Sequence, residues 1–226
     1  MKTVQDIYAE LHSVNPKCRI VAATKTRAIE EIRAVMDTGL VLAAGENRVQ
    51  EFNEKYTPDF RWDFIGRLQT NKVKYLVGRA TLIHSLDRLE LAREIERVSA
   101  NRGVVTEVLV EINSGKEESK GGVFLEDVDR FLDEIAAFSH IKVRGLMAVA
   151  PIAPQNQDIA DAANQNTEDQ LKKLFDEVYE KYAKLARGDF DTLSMGMSND
   201  YLIAAACGAN VVRLGRALFG ERRYPV

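Results

Sequence analysis

A lysine after the first apolar run of the chain is the side chain best suited to covalent chemistry. Lys25 stands in VAATKT, and small residues flank it. Desolvation in an apolar ring favours the neutral form of an amine, and a neutral lysine can attack an aldehyde to form a Schiff base. A lysine in this position is also commonly a surface residue whose ammonium reaches solvent. The residue type alone leaves both interpretations open.

Two segments near the C-terminus, LSMGMSNDY and VVRLGRALFG, offer donors for an anion. Ser198 falls at the start of one candidate helix, and Gly215 and Arg216 lead into another. A serine hydroxyl and backbone N–H groups at helix starts are typical of phosphate sites, and glycine lets the backbone approach a phosphate closely. A plain turn at Gly215 is the alternative interpretation.

Other polar residues at candidate strand ends have common structural roles as well. Asn47, in GENRVQEF, could cap the following helix or face a ligand, and capping is the more common role. His84 precedes Ser85, and a single histidine here is more often a hydrogen-bonded core residue than a metal ligand. The three histidines, His12, His84 and His140, form no cluster in the sequence, so no metal site is predicted.

The elements that must position these residues are predicted by the hydrophobic pattern to alternate between strands and helices. Eight short apolar runs are candidate strands, at 19–24, 40–43, 62–65, 81–84, 106–112, 142–147, 191–193 and 210–213. Helices are expected to begin near Ala28, Asn47, Asn71, Asp87, Leu125, Asp169, Asn199 and Arg216, and a further helix over 4–11. In the helix that begins near Asp169, one buried apolar stripe is expected, formed by Leu171, Leu174, Phe175, Val178, Tyr179, Tyr182 and Leu185.

Strands that alternate with helices indicate a parallel sheet. Eight such units in 226 residues favour an α/β fold of the closed (β/α)8 TIM barrel type, with an open doubly wound sheet as the alternative. We expect one domain over 1–226, in which the polar stretch 155–166 is a long loop after the sixth strand. The chemistry of such barrels lies at the carboxyl ends of the strands, where Lys25, Ser198 and Gly215 are found.

Composition restricts the functional class. The chain has 31 basic and 34 acidic residues and a formal net charge of −3, without the basic stripe that binds nucleic acids. The N-terminus has acidic residues where a signal peptide needs an apolar core, and no run approaches the roughly 18 apolar residues of a membrane span. Cys18 and Cys207 are expected to be buried in a reducing compartment. We therefore predict a cytoplasmic protein without nucleic-acid or membrane partners.

Eight segments, taken together, resemble a known family. They are VAATKT, GENRVQEF, FIGRLQTNK, IHSLD, EINSGKEESKGG, GLMAVAP, LSMGMSNDY and VVRLGRALFG. In this order and spacing they resemble the pyridoxal phosphate homeostasis proteins, which are similar to the barrel domain of alanine racemases, the fold type III of pyridoxal phosphate proteins. The match covers about 6–224.

The resemblance implies a role for each matching residue. Lys25 would form the internal aldimine with pyridoxal 5′-phosphate (PLP), and Arg213 would face the pyridine nitrogen. Ser198 and the backbone N–H groups of Gly215 and Arg216 would hold the phosphate. The pocket around the ring would be lined by Asn47, Ser85, Met147 and Ser194.

Two positions depart from the pattern of the family. Arg67 stands where the family usually has histidine, and Ala44 stands where it commonly has an aromatic residue. Neither is an aldimine or phosphate position, so cofactor binding is still implied. Any role of that histidine cannot be transferred to this chain.

An arginine opposite the ring nitrogen limits the chemistry that the cofactor can supply. A guanidinium group can only donate a hydrogen bond, so the ring nitrogen should stay unprotonated and act as a weak electron sink. The related racemases also use a second base, a tyrosine from a separate β domain of the partner subunit. Because the chain ends at Val226, soon after the eighth unit, we expect no such domain here.

We therefore expect a binding protein without a catalytic residue, which holds PLP on Lys25 and serves intracellular PLP homeostasis. A reactive aldehyde condenses with exposed amines, which is a physical reason to buffer it and to pass it to apo-enzymes. A single-domain PLP-dependent amino-acid racemase is the alternative. We also expect a monomer, since dimerisation loses its catalytic reason, and the charged stretch 116–120 is either a partner surface or a solvated loop.

Overall fold

Eight parallel strands form a closed barrel in the computed structural model, which describes residues 2–114, 121–150 and 160–221. The strands are β1 (Arg19–Ala23), β2 (Ala43–Glu46), β3 (Trp62–Phe64), β4 (Leu82–Leu86), β5 (Thr106–Ile112), β6 (Ile141–Ala148), β7 (Thr192–Met195) and β8 (Val211–Leu214). Each strand pairs with the next along the chain, and β8 pairs with β1. The predicted (β/α)8 barrel is confirmed, and the open sheet is excluded. The stretch 116–120 lies outside the described residues.

Helices connect the strands. They are α1 (Val4–Val14), α2 (Ile29–Met36), α3 (Val49–Lys55), α4 (Leu89–Arg102), α5 (Val128–Ile135), α6 (Ala160–Leu185), α7 (Tyr201–Ala206) and α8 (Arg216–Phe219). The helix predicted near Asn71 is a short 3-10 helix (Thr70–Tyr75), and a 3-10 turn (Leu125–Asp127) leads into α5. In the described part of the chain, no helix combines the length and apolarity that a membrane span requires.

Helix α6 has the predicted apolar stripe but begins earlier than expected. Phe175 and Val178 are buried against the barrel, whereas Tyr179 is 41% exposed, so its predicted place in the buried stripe is wrong. The predicted loop 155–166 is wrong for 160–166, which are helical, while 155–159 lie outside the described residues. The stretch 160–166 contains three alanines and a glutamine, which favour helix even where no apolar pattern marks one.

The second strand lies three residues later than the apolar run 40–43 predicts. It pairs with β1 so that Val21 is opposite Ala43 and Ala23 is opposite Gly45. A Cβ atom at Gly45 would lie 2.7 Å from Val21 Cγ1, so this strand needs small residues, which give little strand signal. Val41 instead packs in the layer between the sheet and the helices.

The interior of the barrel combines apolar and polar side chains. Two small apolar clusters lie on the inner face, with Val21, Ala43 and Val211 in one and Leu82, Leu109 and Met147 in the other. The buried polar side chains of Asp63, His84, Ser194 and Arg213 alternate with outward-facing apolar residues on their strands. Buried polar groups need hydrogen-bond partners, so these side chains have to satisfy one another. Cys18 and Cys207 are buried in the outer layer, as predicted.

Candidate functional site at the carboxyl ends of the strands

The predicted site residues lie in or just after the strands, toward their carboxyl ends. Lys25 follows the last residue of β1 by two positions, and Asn47 directly follows β2. Ser194 was expected in the loop after the seventh strand, but it lies within β7, and Ser85 likewise lies within β4. Both strands extend two residues beyond their apolar runs because inward-facing positions of this barrel accept polar side chains.

Lys25 and Gly215 come together because β1 and β8 are neighbours. Ala22 pairs with Leu214, and a Cβ atom at Gly215 would lie 3.5 Å from both the Cβ and the carbonyl oxygen of Ala23. These are ordinary contacts, so packing against the protein does not itself require glycine at 215. The loop that carries Lys25 and the loop after β8 therefore border the same part of the mouth.

The Ser198 hydroxyl joins the loop after β7 to the first turn of α8. Its Oγ accepts hydrogen bonds from the N–H groups of Gly215, at 3.3 Å, and Ala217, at 3.2 Å. The side chain of Arg216 is turned to the surface, where Nη2 donates to Asn199 Oδ1 at 3.0 Å. The structure thus gathers one hydroxyl and several backbone N–H groups, a donor set that suits an anion.

Lys25 is half-buried, and its ammonium has no hydrogen-bond or ion-pair partner among the described residues. Two buried hydroxyl oxygens, Thr26 Oγ1 and Ser85 Oγ, also lack a partner in the described part of the protein. Thr26 follows Lys25, and Ser85 is a predicted pocket residue. An unsatisfied buried hydroxyl costs free energy, so the site fits a polar ligand that reaches these groups.

Arg213 is fixed inside the barrel by three hydrogen bonds. Its Nη1 donates to the carbonyl oxygen of Ser194 at 2.8 Å and to Ser194 Oγ at 2.7 Å, and its Nη2 donates to the carbonyl oxygen of Ala148 at 2.8 Å. Burial lowers the pKa of Arg213 to about 10, although Asp200 and Glu111 oppose the shift. The guanidinium group therefore stays charged at neutral pH and keeps two of its five N–H donors for another partner.

His84 continues this network across the barrel. Its Nδ1 lies 3.1 Å from Ser194 Oγ, and its Nε2 lies 3.2 Å from Asp63 Oδ2. Asp63 Oδ1 accepts a hydrogen bond from Arg61 Nε at 3.1 Å. Burial lowers the pKa of His84, and the opposing effect of Asp63 is smaller. The interpretation of His84 as a hydrogen-bonded core residue is confirmed, but its contact with Asp63, 21 positions earlier in the chain, has no signal in the sequence pattern.

Asn47 does not cap the helix that follows it. Helix α3 begins at Val49 with Arg48 in the capping position, so the capping alternative for Asn47 is wrong. The backbone of Asn47 is packed against Gly66, where a Cβ atom would clash with the Asn47 carbonyl group. Gly66, in FIGRLQTNK, is thus needed for the close approach of two neighbouring loops.

Glu111 is a half-buried carboxyl group near the carboxyl end of β5 that the sequence analysis does not single out. It pairs in register with Met147, which in turn pairs with Ser194. Burial, and then the negative charge of Asp87, raise the pKa of Glu111 to about 7, while Arg213 and Arg67 lower it. An acidic residue inside the apolar strand sequence TEVLVEI was the available signal.

The two residues that depart from the family pattern differ in exposure. The side chain of Arg67 is 70% exposed, and its Nε lies 3.9 Å from Asp87 Oδ2. Ala44 is fully buried in the layer between the barrel and the helices. An aromatic side chain there would pack against the helices and not in the mouth.

Comparison with known proteins gives one consistent result. The sequence profile of the alanine racemase N-terminal domain matches residues 4–223. A pyridoxal phosphate homeostasis protein of Aquifex aeolicus is 42% identical over 210 residues, covering 91% of this chain and 88% of that protein. A protein of the same name from Synechocystis is 34% identical over 222 residues and covers 96% and 97%.

Among solved structures, PipY of Synechococcus elongatus with PLP bound superposes with a TM-score of 0.75 at 28% identity, covering 95% of this chain and all of PipY (100%). The chain belongs to the alanine racemase N-terminal domain family and, within it, to the pyridoxal phosphate homeostasis proteins.

Proposed function

We propose that this protein binds PLP at the mouth of the barrel and holds it reversibly through Lys25. The observation that carries the proposal is a half-buried lysine, free of partners among the described residues, on the loop beside the donors around Ser198 and Gly215. When bound, PLP supplies an aldehyde carbon that the amine can attack, forming a C=N bond and releasing the aldehyde oxygen as water. The PLP bound in PipY supports the same ligand here.

The residues around Lys25 have suitable roles in this proposal. Ser198 and the backbone N–H groups of Gly215 and Arg216 would hold the phosphate. Arg213 would donate one of its two remaining N–H groups to the ring nitrogen. The ring would be lined by Asn47, Ser85, Met147 and Ser194, and the unpaired Ser85 hydroxyl would gain a partner.

Storage and transfer of PLP are favoured over catalysis of a reaction on amino acids. Arg213 is held as a charged donor, which keeps a ring nitrogen unprotonated and weakens the cofactor as an electron sink. The name shared by the relatives supports the same choice. In this proposal the protein lowers the concentration of free aldehyde in the cytoplasm and passes PLP to apo-enzymes in transient encounters.

Spectroscopic titration with PLP tests the binding proposal. Wild-type protein should develop a visible absorption band at one equivalent of PLP, and Lys25→Ala should not. Lys181→Met is a matched control, because Lys181 pairs with Asp129 on the outer helices and its side chain is only 16% exposed. A wild-type protein that gains no band contradicts the proposal.

Chiral analysis separates a carrier from the racemase alternative. After incubation of the PLP-loaded protein with L-alanine and other L-amino acids, we expect no D-enantiomer above the level produced by Lys25→Ala. Turnover that disappears in Lys25→Ala would establish the racemase instead.

A further inference from the structure

Lys25 stands between two threonines that are fixed by carboxylates from β2 and α3. The hydroxyl of Thr24 donates to Glu46 Oε1 at 2.7 Å. On the other side of Lys25, the backbone N–H of Thr26 donates to Glu51 Oε2 at 2.7 Å. Both carboxylates belong to the segment GENRVQEF, whose acidic residues the proposed function leaves without a role.

Lys55 connects these two carboxylates. Its Nζ lies 2.7 Å from Glu46 Oε1, 2.8 Å from Glu51 Oε2 and 3.0 Å from the carbonyl oxygen of Thr24. An ammonium group has three N–H donors, so each donor has one acceptor. The side chains of Lys55, Glu51 and Glu46 are 12%, 17% and 0% exposed, which shields their charges from water.

The backbone conformation of Thr26 shows why the Glu51 carboxylate is needed beside it. Its φ angle is +64°, in the left-handed region that is unfavourable for a residue with a branched side chain. The bond from its N–H to the Glu51 carboxylate offsets this cost and fixes the turn directly after Lys25. Burial alone would raise the pKa of Glu51, but Lys55 and the Thr26 N–H group hold it below its usual value, so the acceptor is charged at neutral pH.

Lys55 and Lys25 differ in how many hydrogen bonds their ammonium groups make. All three donors of Lys55 are engaged, whereas Lys25 has no partner among the described residues. Lys55 can therefore hold the loop in place, while the amine of Lys25 is left free to react.

We propose that Lys55, Glu46 and Glu51 are positioning residues that hold the backbone on both sides of Lys25 so that its amine meets the PLP aldehyde in a reactive geometry. This inference rests on the proposed function. The three residues act through Lys25, so their effect should appear only with ligands that form a covalent bond to it.

Pyridoxine 5′-phosphate provides this distinction, because it has the ring and the phosphate of PLP but an alcohol in place of the aldehyde. Dissociation constants for both ligands should be measured by calorimetry for wild type, Lys55→Met, Glu51→Gln and the control Lys181→Met. Lys55→Met should weaken PLP binding about tenfold and Glu51→Gln somewhat less, while pyridoxine 5′-phosphate binding changes less than about twofold. Lys181→Met should leave both constants at their wild-type values.

Two results would overturn the inference while the proposed function survives. One is unchanged PLP affinity in Lys55→Met and Glu51→Gln. The other is an equal loss for both ligands, which would mean that these residues support the whole pocket and not Lys25. If the wild-type protein itself forms no covalent bond with PLP, the proposed function fails and this inference fails with it.

Amide hydrogen exchange on the ligand-free protein gives a second test, which stays informative even if a variant no longer binds PLP. The Thr26 amide should be protected in wild type and in Lys181→Met, and it should exchange at least about tenfold faster in Glu51→Ala. Equal exchange rates in wild type and Glu51→Ala would contradict the inference.

Discussion

Nδ1 of His84 lies 3.1 Å from Oγ of Ser194 inside the barrel, where both side chains are fully buried. Burial lowers the pKa of His84, which favours a neutral ring, and its single N–H is then Nε2–H, facing the Asp63 carboxylate. Nδ1 is left as an acceptor for the Ser194 hydroxyl, which itself accepts from Arg213. Each hydrogen bond in this chain therefore has one direction, from Arg213 toward Asp63.

Removal of the Ser194 hydroxyl should destabilise the protein even without a ligand. Ser194→Ala removes one of the three acceptors of Arg213 and the partner of His84 Nδ1, so we expect a loss of about 1–3 kcal/mol in the free energy of unfolding. Urea denaturation measures it. Ser13→Ala is the control, because the Ser13 hydroxyl bonds to the Glu10 carbonyl group on the exposed side of α1. Equal losses of unfolding free energy in Ser194→Ala and Ser13→Ala would contradict the hydrogen-bond chain from Arg213 to Asp63.

Ser85→Ala should weaken PLP binding without destabilising the ligand-free protein. The Ser85 hydroxyl is buried and has no partner among the described residues, so its removal should leave the free energy of unfolding of the ligand-free protein within about 0.5 kcal/mol of wild type. If PLP provides the missing partner, the dissociation constant for PLP should rise about threefold to tenfold. Unchanged affinity would remove Ser85 from the proposed pocket.

Ser198→Ala should weaken binding through the phosphate alone. The Ser198 hydroxyl stands with the N–H groups of Gly215 and Ala217 in the proposed phosphate site. We expect the dissociation constant for PLP to rise about fivefold or more, and that for pyridoxal, which lacks the phosphate, to change less than about twofold. Equal weakening for both ligands would assign Ser198 a general structural role.

The Glu111 carboxyl group should make stability depend on pH near neutrality. Its pKa is raised from 4.5 to about 7 in the folded protein, so between these values the folded state binds a proton that the unfolded state has lost. This stabilisation is complete below about pH 4.5 and disappears as the pH rises through about 7.

Glu111→Gln removes this titration and isolates its contribution. Between pH 5 and pH 8, the stability of the variant relative to wild type should rise by about 2 kcal/mol, at about 1.4 kcal/mol per pKa unit. Urea denaturation of both proteins at the two pH values measures it, and other titrating groups such as His84 cancel in the difference. A difference that does not change with pH would show that Glu111 is ionised throughout.

The parts of the fold with strong local patterns could be predicted from the sequence. The apolar stripe with Phe175 and Val178 marks α6, and β5 has the predicted bounds 106–112. The second strand was predicted three residues too early. The observed strand, Ala43–Glu46, is determined by close packing against β1 and not by strand propensity.

The positions of single side chains were easier to predict than their partnerships. Motifs place Lys25, Ser198 and Arg213 in or just after the strands, where the structure has them, and their roles toward PLP stay predictions. The contact of Lys55 with Glu46, and that of His84 with Asp63, join residues of different strands and helices. A single sequence without a fold does not contain such distances.

The attachment site of PLP most directly tests the proposal that Lys25 holds the cofactor. The protein should be mixed with one equivalent of PLP, reduced with borohydride, digested and analysed by mass spectrometry. We expect the pyridoxyl group on the peptide that contains Lys25, with the peptide that contains Lys55 unmodified. Labelling spread over several lysines, or none on Lys25 while another lysine is stoichiometrically modified, would contradict attachment of PLP through Lys25.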